Sequence, residues 1–380
     1  MNKKLVFFGG TFDPPHLEHV NLVKSVVREI SPQKIIIMPT FIPPHKKVFL
    51  TATPKQRLLM CKEAFKDIDC VEVSDWEICQ KGKSYSYLTM QKLKTDYPDH
   101  QILFLMGTDM ISSFDSWKNP LEILKCATPL LCVRNGEGVS KEQSAREFKR
   151  KFGVDIKALE YEGKALSSTD VKVNAMLCKE LSGCVENGVN QLIDKFSLYN
   201  YGKLSRFVAD NLTEKRIEHT KGVIKLALKY AKMFKVDLQK TAIASLLHDV
   251  AKYLKVEDFP EFIPPKNVPY QVMHQYLGAF VAEKVLGVGD RQILNAIKYH
   301  TSAKPKMSML AKIVFTADML EEGRAYDGAK EIRELSFKDF DKAFVLAMKR
   351  SLDYVHERKA EVYPLTIKAY NYYKGDKYGI

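Results

Sequence analysis

The sequence predicts an α/β domain built on a parallel sheet, followed by an all-α helical bundle. Up to about residue 195, short β-rich runs alternate with amphipathic stretches; beyond it helical periodicity is nearly unbroken. The cysteines divide the same way. All seven (61, 70, 79, 126, 132, 178 and 184) precede residue 185, which fits two segments of different origin. A length of 380 residues also suits two domains better than one core.

Candidate strands in the first half are Leu5–Phe8, Lys34–Met38, Cys70–Val73, Ile102–Met106, Leu130–Val133 and Ile156–Leu159. Between them lie helical patterns such as PKQRLLMCKEAFK and YLTMQKLKTDY, so the strands are expected to run parallel with both faces covered. SLYNYGKL reads as a connector. After it come RIEHTKGVIKLALKYAKMF, LQKTAIASLLHDVAKYL, MSMLAKIVFTADMLEEG and DKAFVLAMKRSLDYVHE, all helical, with the proline-broken loop FPEFIPPKNVPY among them. The expected division is residues 1–195, a linker at 196–203, and 204–380.

No apolar stretch approaches the ~20 residues that span a bilayer, and LVFF is too short for a signal-peptide core, so a cytoplasmic protein is expected. The cysteines form no CxxC pair and are odd in number, which favours free thiols over disulfides or a zinc site. A net charge of +13 suits an enzyme of polyanionic nucleotides. It would also suit a nucleic-acid binder, but the lysines are scattered and no recognised nucleic-acid module is present.

The first chemistry lies in GGTFDPPHLEH, residues 9–19. A chain leaving a strand for a helix does so at the carboxyl edge of the sheet, where open α/β folds bind ligands. Gly9 and Gly10 read as a turn that lets a phosphate approach the backbone, and the helix N-terminus adds N–H donors. His16 and His19 share one helix face and can address one phosphate, stabilising charge that develops during an in-line displacement. The plainer alternative is a βα turn carrying two surface histidines.

This stretch resembles the (H/T)xGH signature of the nucleotidyltransferase superfamily, a Rossmann-like α/β fold, and specifically the nicotinate-nucleotide adenylyltransferase family. Further segments match in order over about residues 1–195: PPHK with Lys46, KGKSYSYLTMQKL with Tyr85, LMGTDM with Gly107 and Asp109, Trp117, CVRNG with Arg134, and LSSTDVK with Ser168, Thr169 and Lys172. The resemblance implies transfer of AMP from Mg²⁺-bound ATP to nicotinate mononucleotide, giving deamido-NAD and pyrophosphate. It implies that His16 and His19 stabilise the transition state and that Gly9, Gly10, Thr11, Lys46, Ser168, Thr169 and Lys172 surround the phosphates. Tyr85, Gly107, Asp109, Trp117 and Arg134 would contact the rest of the substrates. Two residues depart from the pattern. Glu18 replaces the usual glycine and brings a carboxylate near the turn; Lys172 replaces arginine, keeping the charge without the bidentate fork.

Rival families fit less well. Pantetheine-phosphate adenylyltransferases generally carry threonine at the position of His16 and are shorter. Class I aminoacyl-tRNA synthetases add a KMSKS loop, but KPKMSM at 304–309 lacks its final lysine and reads as a helix start capped by Ser308 or the preceding loop.

The second chemistry is the set His219, His248–Asp249, His274, His300 and Asp318, which takes four of the five histidines in this half. Imidazole and carboxylate gathered from several helices suit iron, manganese or another first-row metal. His248 and Asp249, adjacent on a helix, would diverge by about 100° yet meet two neighbouring metals if the carboxylate bridges them. A helical bundle with satisfied histidines is the plainer alternative.

The series H…HD…H…H…D resembles the HD phosphohydrolase superfamily, and HDVAK, HQYLGA, AIKYHT and ADMLEEGR narrow it to the YqeK-like family over about residues 203–375. That family is similar to di-iron hydrolases that cleave diadenosine tetraphosphate symmetrically into two ADP. The resemblance implies two transition-metal ions, iron or manganese, held by the six residues, with Asp249 central to catalysis and Lys252 and Arg324 available to substrate phosphates. Gln275 departs from the glycine common after the ligand histidine.

The expected whole is a bifunctional enzyme of NAD biosynthesis and dinucleotide hydrolysis. Its partners would be ATP, nicotinate mononucleotide and a dinucleoside polyphosphate, with no nucleic acid and no membrane. A homo-oligomer stays open, as do a helical half that only binds a regulatory nucleotide and one that cleaves another phosphoester.

Overall fold

The computed structural model describes residues 3–42, 49–134 and 140–375, and the chain forms two compact units. One holds the residues up to Lys172, apart from 47–50, together with Glu180–Tyr199; the other holds the remainder, chiefly from Asn200 onward.

The first unit is built on β1 (Lys3–Gly10), β2 (Lys34–Pro39), β3 (Val71–Val73), β4 (His100–Gly107), β5 (Thr128–Arg134) and β6 (Lys157–Gly163). They coincide with the six β-rich runs, their ends shifted by a few residues. All neighbours pair parallel in the order β3-β2-β1-β4-β5-β6. Leu5–Phe7, Ile35–Met38 and Ile102–Met106 are buried throughout, because helices cover both faces of such a sheet. The chain reverses its direction of winding between β1 and β4. Their carboxyl ends, at Gly10 and Gly107, therefore flank the crevice where this topology receives ligands.

Gly9 and Gly10 correct the expectation of a turn. Both are strand residues, paired with Met38 and Pro39. A Cβ on Gly9 would lie 2.7 Å from the Phe7 ring, so this glycine is required by side-chain packing within the strand. The connection to the helix Leu17–Ile30 is made instead by residues 11–16, with His16 as the N-cap.

The second unit is helical, with its core between Glu214–Met233, Leu238–Leu247 and Met309–Leu320. Thr213, Asp237, Asp290 and Ser308 cap helices by accepting from backbone N–H groups, each replacing a partner that the first turn lacks. The pattern LQKTAIASLLHDVAKYL predicts one long helix, but the helix stops at Leu247. His248 is its C-cap and Asp249 lies in the following turn. Among the described residues no helix is long and apolar enough to cross a membrane. The cysteines are free thiols; Cys61 and Cys132 are buried, while Cys79 and Cys178 are exposed.

Candidate functional site

In the sheet unit, the rings of His16 and His19 stack with centroids 3.6 Å apart. The His16 N–H donates to His19 Nδ1 at 3.1 Å, which leaves Nε2 to carry the proton of a neutral His19. Phe8 and Phe12 stand against the His19 ring, with centroids at 5.9 and 5.1 Å. The alternative of two surface histidines does not hold for His16, which is 2% exposed.

The segment between strand and helix is fixed by residues that sequence reasoning missed. Arg57, buried on the helix Pro54–Phe65, donates to the carbonyls of Thr11 (2.6 Å), Thr40 (2.6 Å) and Phe41 (3.0 Å). Asp13 Oδ1 accepts from Tyr199 Oη at 2.8 Å and from the Ala52 N–H at 3.0 Å. Asp13 Oδ2 lies 2.5 Å from Lys172 Nζ. Lys172 is thus buried in an ion pair, its ammonium also 5.2 Å from the centre of the Tyr199 ring. Only a functional reading of Asp13 itself, inside GTFDPPH, would have found this pair.

The Ser168–Met176 helix begins on a capping box. Ser167 N–H and Oγ both donate to Asp170 Oδ2 (2.9 and 2.6 Å), and the Asp170 N–H returns to Ser167 Oγ at 3.3 Å. Ser168 Oγ donates to the Pro14 carbonyl at 2.8 Å, bringing this helix start to the connection that ends at His16, while Thr169 is half-buried beside it. Glu18 does bring a carboxylate here. Its Oε2 accepts from Tyr161 Oη at 2.7 Å and from the Lys164 N–H at 2.6 Å, and its Oε1 from Asn21 Nδ2 at 3.1 Å.

Gly107 ends β4 and a Cβ there would lie 2.8 Å from Asp109 Oδ1; Asp109 itself is exposed on the short helix Thr108–Ser112. Trp117 packs on Phe114 and Phe104, at 5.5 and 6.1 Å between centroids. Tyr85 stands just before the helix Ser86–Asp96, with Lys118 Nζ 4.5 Å from its ring centre. Lys46 lies outside the described residues. Arg134 closes β5, and its side chain likewise lies outside the described part.

In the helical unit all six expected metal ligands converge as two groups: His219, His248 and Asp318, and Asp249, His274 and His300. His219 Nε2 is 3.0 Å from Asp318 Oδ1 and 3.4 Å from His248 Nε2. Asp249 Oδ1 is 3.3 and 3.5 Å from Nε2 of His274 and His300, while Oδ2 is 3.6 Å from Nε2 of His248. One carboxylate thus faces both groups. Asp249 sits in the turn that follows the helix end at Leu247, next to His248.

Three of the histidines are oriented through their other nitrogen. Nδ1 of His248 and of His300 faces the carbonyls of Ser245 and Ile297, both at 2.7 Å, and Nδ1 of His219 faces Glu321 Oε1 at 3.1 Å. Nε2 is thereby turned toward the shared centre. Glu321 is buried, accepts the Gly323 N–H at 2.6 Å, and occupies space that a Cβ on Gly222 would obstruct. Its signal in the sequence was only the acidic pair after ADML. Gln275 is fully buried and ties the two halves of one group: its amide donates to Ser302 Oγ at 2.8 Å, and its carbonyl accepts from the N–H groups of Thr301 and Ser302.

Burial pulls His248 down to about 3, so its imidazole is neutral and able to ligate. Burial works to raise Asp318, but Arg324 and His219 outweigh it and hold the carboxyl well below its ordinary range. Asp249 Oδ1 is buried and accepts no well-formed hydrogen bond. Buried carboxylate oxygens and imidazole Nε2 atoms aimed at one another fit a metal ion. Cations border both groups. Arg324 reaches Asp318 Oδ1 (2.6 Å), Lys252 reaches His274 Nε2 (3.3 Å), and Arg216, which was not anticipated, reaches Asp249 Oδ2 (2.7 Å).

Fold and site together define a nucleotidyltransferase-type α/β domain joined to a helical domain of the HD class. A cytidylyltransferase-like family matches residues 7–174 and the HD domain family residues 216–323. A Mycoplasma genitalium protein described as "Probable nicotinate-nucleotide adenylyltransferase/Ap4A hydrolase" is 30% identical over 343 residues, covering 88% of this chain and 93% of that protein. The chain belongs to this family of two-domain proteins. Single-domain relatives match its halves. A symmetrical bis(5'-nucleosyl)-tetraphosphatase of Bacillus subtilis is 34% identical over 43% of this chain and 92% of its own. A Fusobacterium nucleatum protein described as "Probable nicotinate-nucleotide adenylyltransferase" is 34% identical over 50% of this chain and 97% of its own.

Proposed function

We propose that the chain is a bifunctional enzyme. Its sheet unit transfers AMP from Mg²⁺-bound ATP to nicotinate mononucleotide, releasing pyrophosphate and deamido-NAD. Its helical unit hydrolyses diadenosine tetraphosphate symmetrically to two ADP.

The observation that carries the hydrolase reading is Asp249, whose Oδ1 faces His274 and His300 of its own group while its Oδ2 faces His248 of the other. His219, His248 and Asp318 would hold one metal and His274 and His300 another, with Asp249 shared. Residues 185–380 contain no cysteine, and a donor set without sulfur suits iron or manganese. Bound there, two metals polarise phosphoryl oxygens and lower the pKa of water. Arg216, Lys252 and Arg324 bring three positive charges to the rim, where a polyphosphate needs them.

The adenylyl-transfer reading rests on His16 and His19 stacked beside the crevice between β1 and β4. Pyrophosphate leaves readily, so the histidines serve by donating hydrogen bonds to phosphate oxygens as negative charge builds there. The Ser168–Met176 helix start supplies backbone N–H groups to the same anion.

The test takes the full chain loaded with Fe(II) or Mn(II), adds diadenosine tetraphosphate, and separates the nucleotides by chromatography. ADP as sole product is expected. AMP plus ATP would mean attack at a different phosphorus, and no turnover despite bound metal would leave another phosphoester or a regulatory nucleotide as the ligand. In parallel, ATP and nicotinate mononucleotide should yield deamido-NAD, a product absent from H16A.

A further inference from the structure

A small open cleft lies beside the paired histidines of the sheet unit, lined among others by His16, Glu18, His19, Tyr161, Gly163 and Lys164. Lys164 is exposed, and its ammonium makes no hydrogen bond or ion pair among the described residues. Its backbone, by contrast, is tightly held. The Lys164 N–H donates to Glu18 Oε2 at 2.6 Å, and Tyr161 Oη donates to the same oxygen at 2.7 Å. Gly163 leaves the room this needs, since a Cβ there would lie 3.1 Å from Glu18 Oε2. Lys172, which sequence reasoning assigned to phosphate, is 4% exposed and bonded to Asp13.

We propose that Lys164 is a phosphate-binding residue of the adenylyl-transfer site and that Glu18 is the positioning residue that fixes it at the cleft. The ligand is a phosphate group of the bound nucleotide or of pyrophosphate. A carboxylate beside an anion site is tolerable here because it accepts from three donors, two of which belong to the β6 end that carries Lys164. The two departures from the adenylyltransferase pattern then have one explanation. Glu18 anchors a lysine at the cleft, and Lys172 serves the interior.

The proposal rests on the adenylyl-transfer reading for its substrate but not for its anion. Binding of magnesium pyrophosphate is measured by calorimetry on the full chain carrying H248A and D249A, which removes the helical centre as a competitor. K164A should weaken binding about tenfold, the loss of one charge-assisted contact, and K164R should restore it. E18Q should weaken it in the parent but add nothing in the K164A background, because Glu18 acts through Lys164. K164A should leave the thermal midpoint unchanged. In turnover, the apparent KM for ATP should rise about as much as the affinity falls, with kcat altered less. Equal pyrophosphate affinity in K164A and parent, or additive effects of E18Q and K164A, would overturn the proposal. Lysine-dependent pyrophosphate binding without turnover of nicotinate mononucleotide would sink the substrate reading alone.

Discussion

Nδ1 of His219 lies 3.1 Å from Oε1 of Glu321, a carboxylate outside the two three-residue groups that leaves Nε2 of His219 facing Asp318 and His248. Replacing it with glutamine keeps the shape and removes the charge. E321Q should lower metal affinity by about 10- to 100-fold, read as metal retained after dialysis against a graded chelator. Helical circular dichroism should stay at the parent's level. Retention equal to the parent's would mean that His219 needs no such partner.

Asp249 and Asp318 should differ in what they hold. D249N removes the carboxylate shared by both groups, so bound metal should fall below one ion per chain. D318N touches one group only and should leave close to one. Elemental analysis of purified protein separates these outcomes, and both variants should keep full adenylyl transfer.

The Asp13–Lys172 pair is buried on both sides, so breaking it leaves an uncompensated charge in the interior. K172M or D13N alone should destabilise the sheet unit by about 3–5 kcal/mol. The double variant should recover much of that loss. Chemical denaturation followed by near-ultraviolet circular dichroism would show it, and equal loss in single and double variants would count against a paired role.

Glu77 is buried and its Oε1 accepts from Thr89 Oγ1 at 2.7 Å. Burial raises its pKa, outweighing the Thr89 and Ser84 hydroxyls. The native state therefore holds this proton more tightly than the unfolded chain. The resulting stability is present below the ordinary carboxylate pKa and is lost as pH climbs through the raised value. E77Q has no such proton, so its melting temperature relative to the parent should improve between pH 4 and pH 8. A constant difference across that range would contradict the assignment.

Strand positions were legible in the sequence because a two-sided parallel sheet demands unbroken apolar runs, as in Ile35–Met38. The six residues that converge in the helical unit were legible as candidate ligands because histidine is scarce and its intervals are distinctive. Roles that depend on partners distant in sequence were not. Lys172 carries the charge expected of a phosphate ligand, but Asp13, 159 residues away, takes it up. Glu321 owes its buried place to Gly222, on another helix, where a Cβ would obstruct its carboxylate, and nothing in a linear pattern links the two. The glycines after LVFF suggested a turn because the neighbouring Phe7 ring, the true reason for Gly9, gives no signal in a linear pattern.

The two exposed thiols have a practical consequence. Cys79 falls in the sheet unit and Cys178 in the helical one. With the other cysteines replaced, a maleimide donor and acceptor dye on this native pair would report the separation of the two units by energy transfer. Adding ATP or a dinucleotide would then turn any ligand-driven rearrangement into an optical signal.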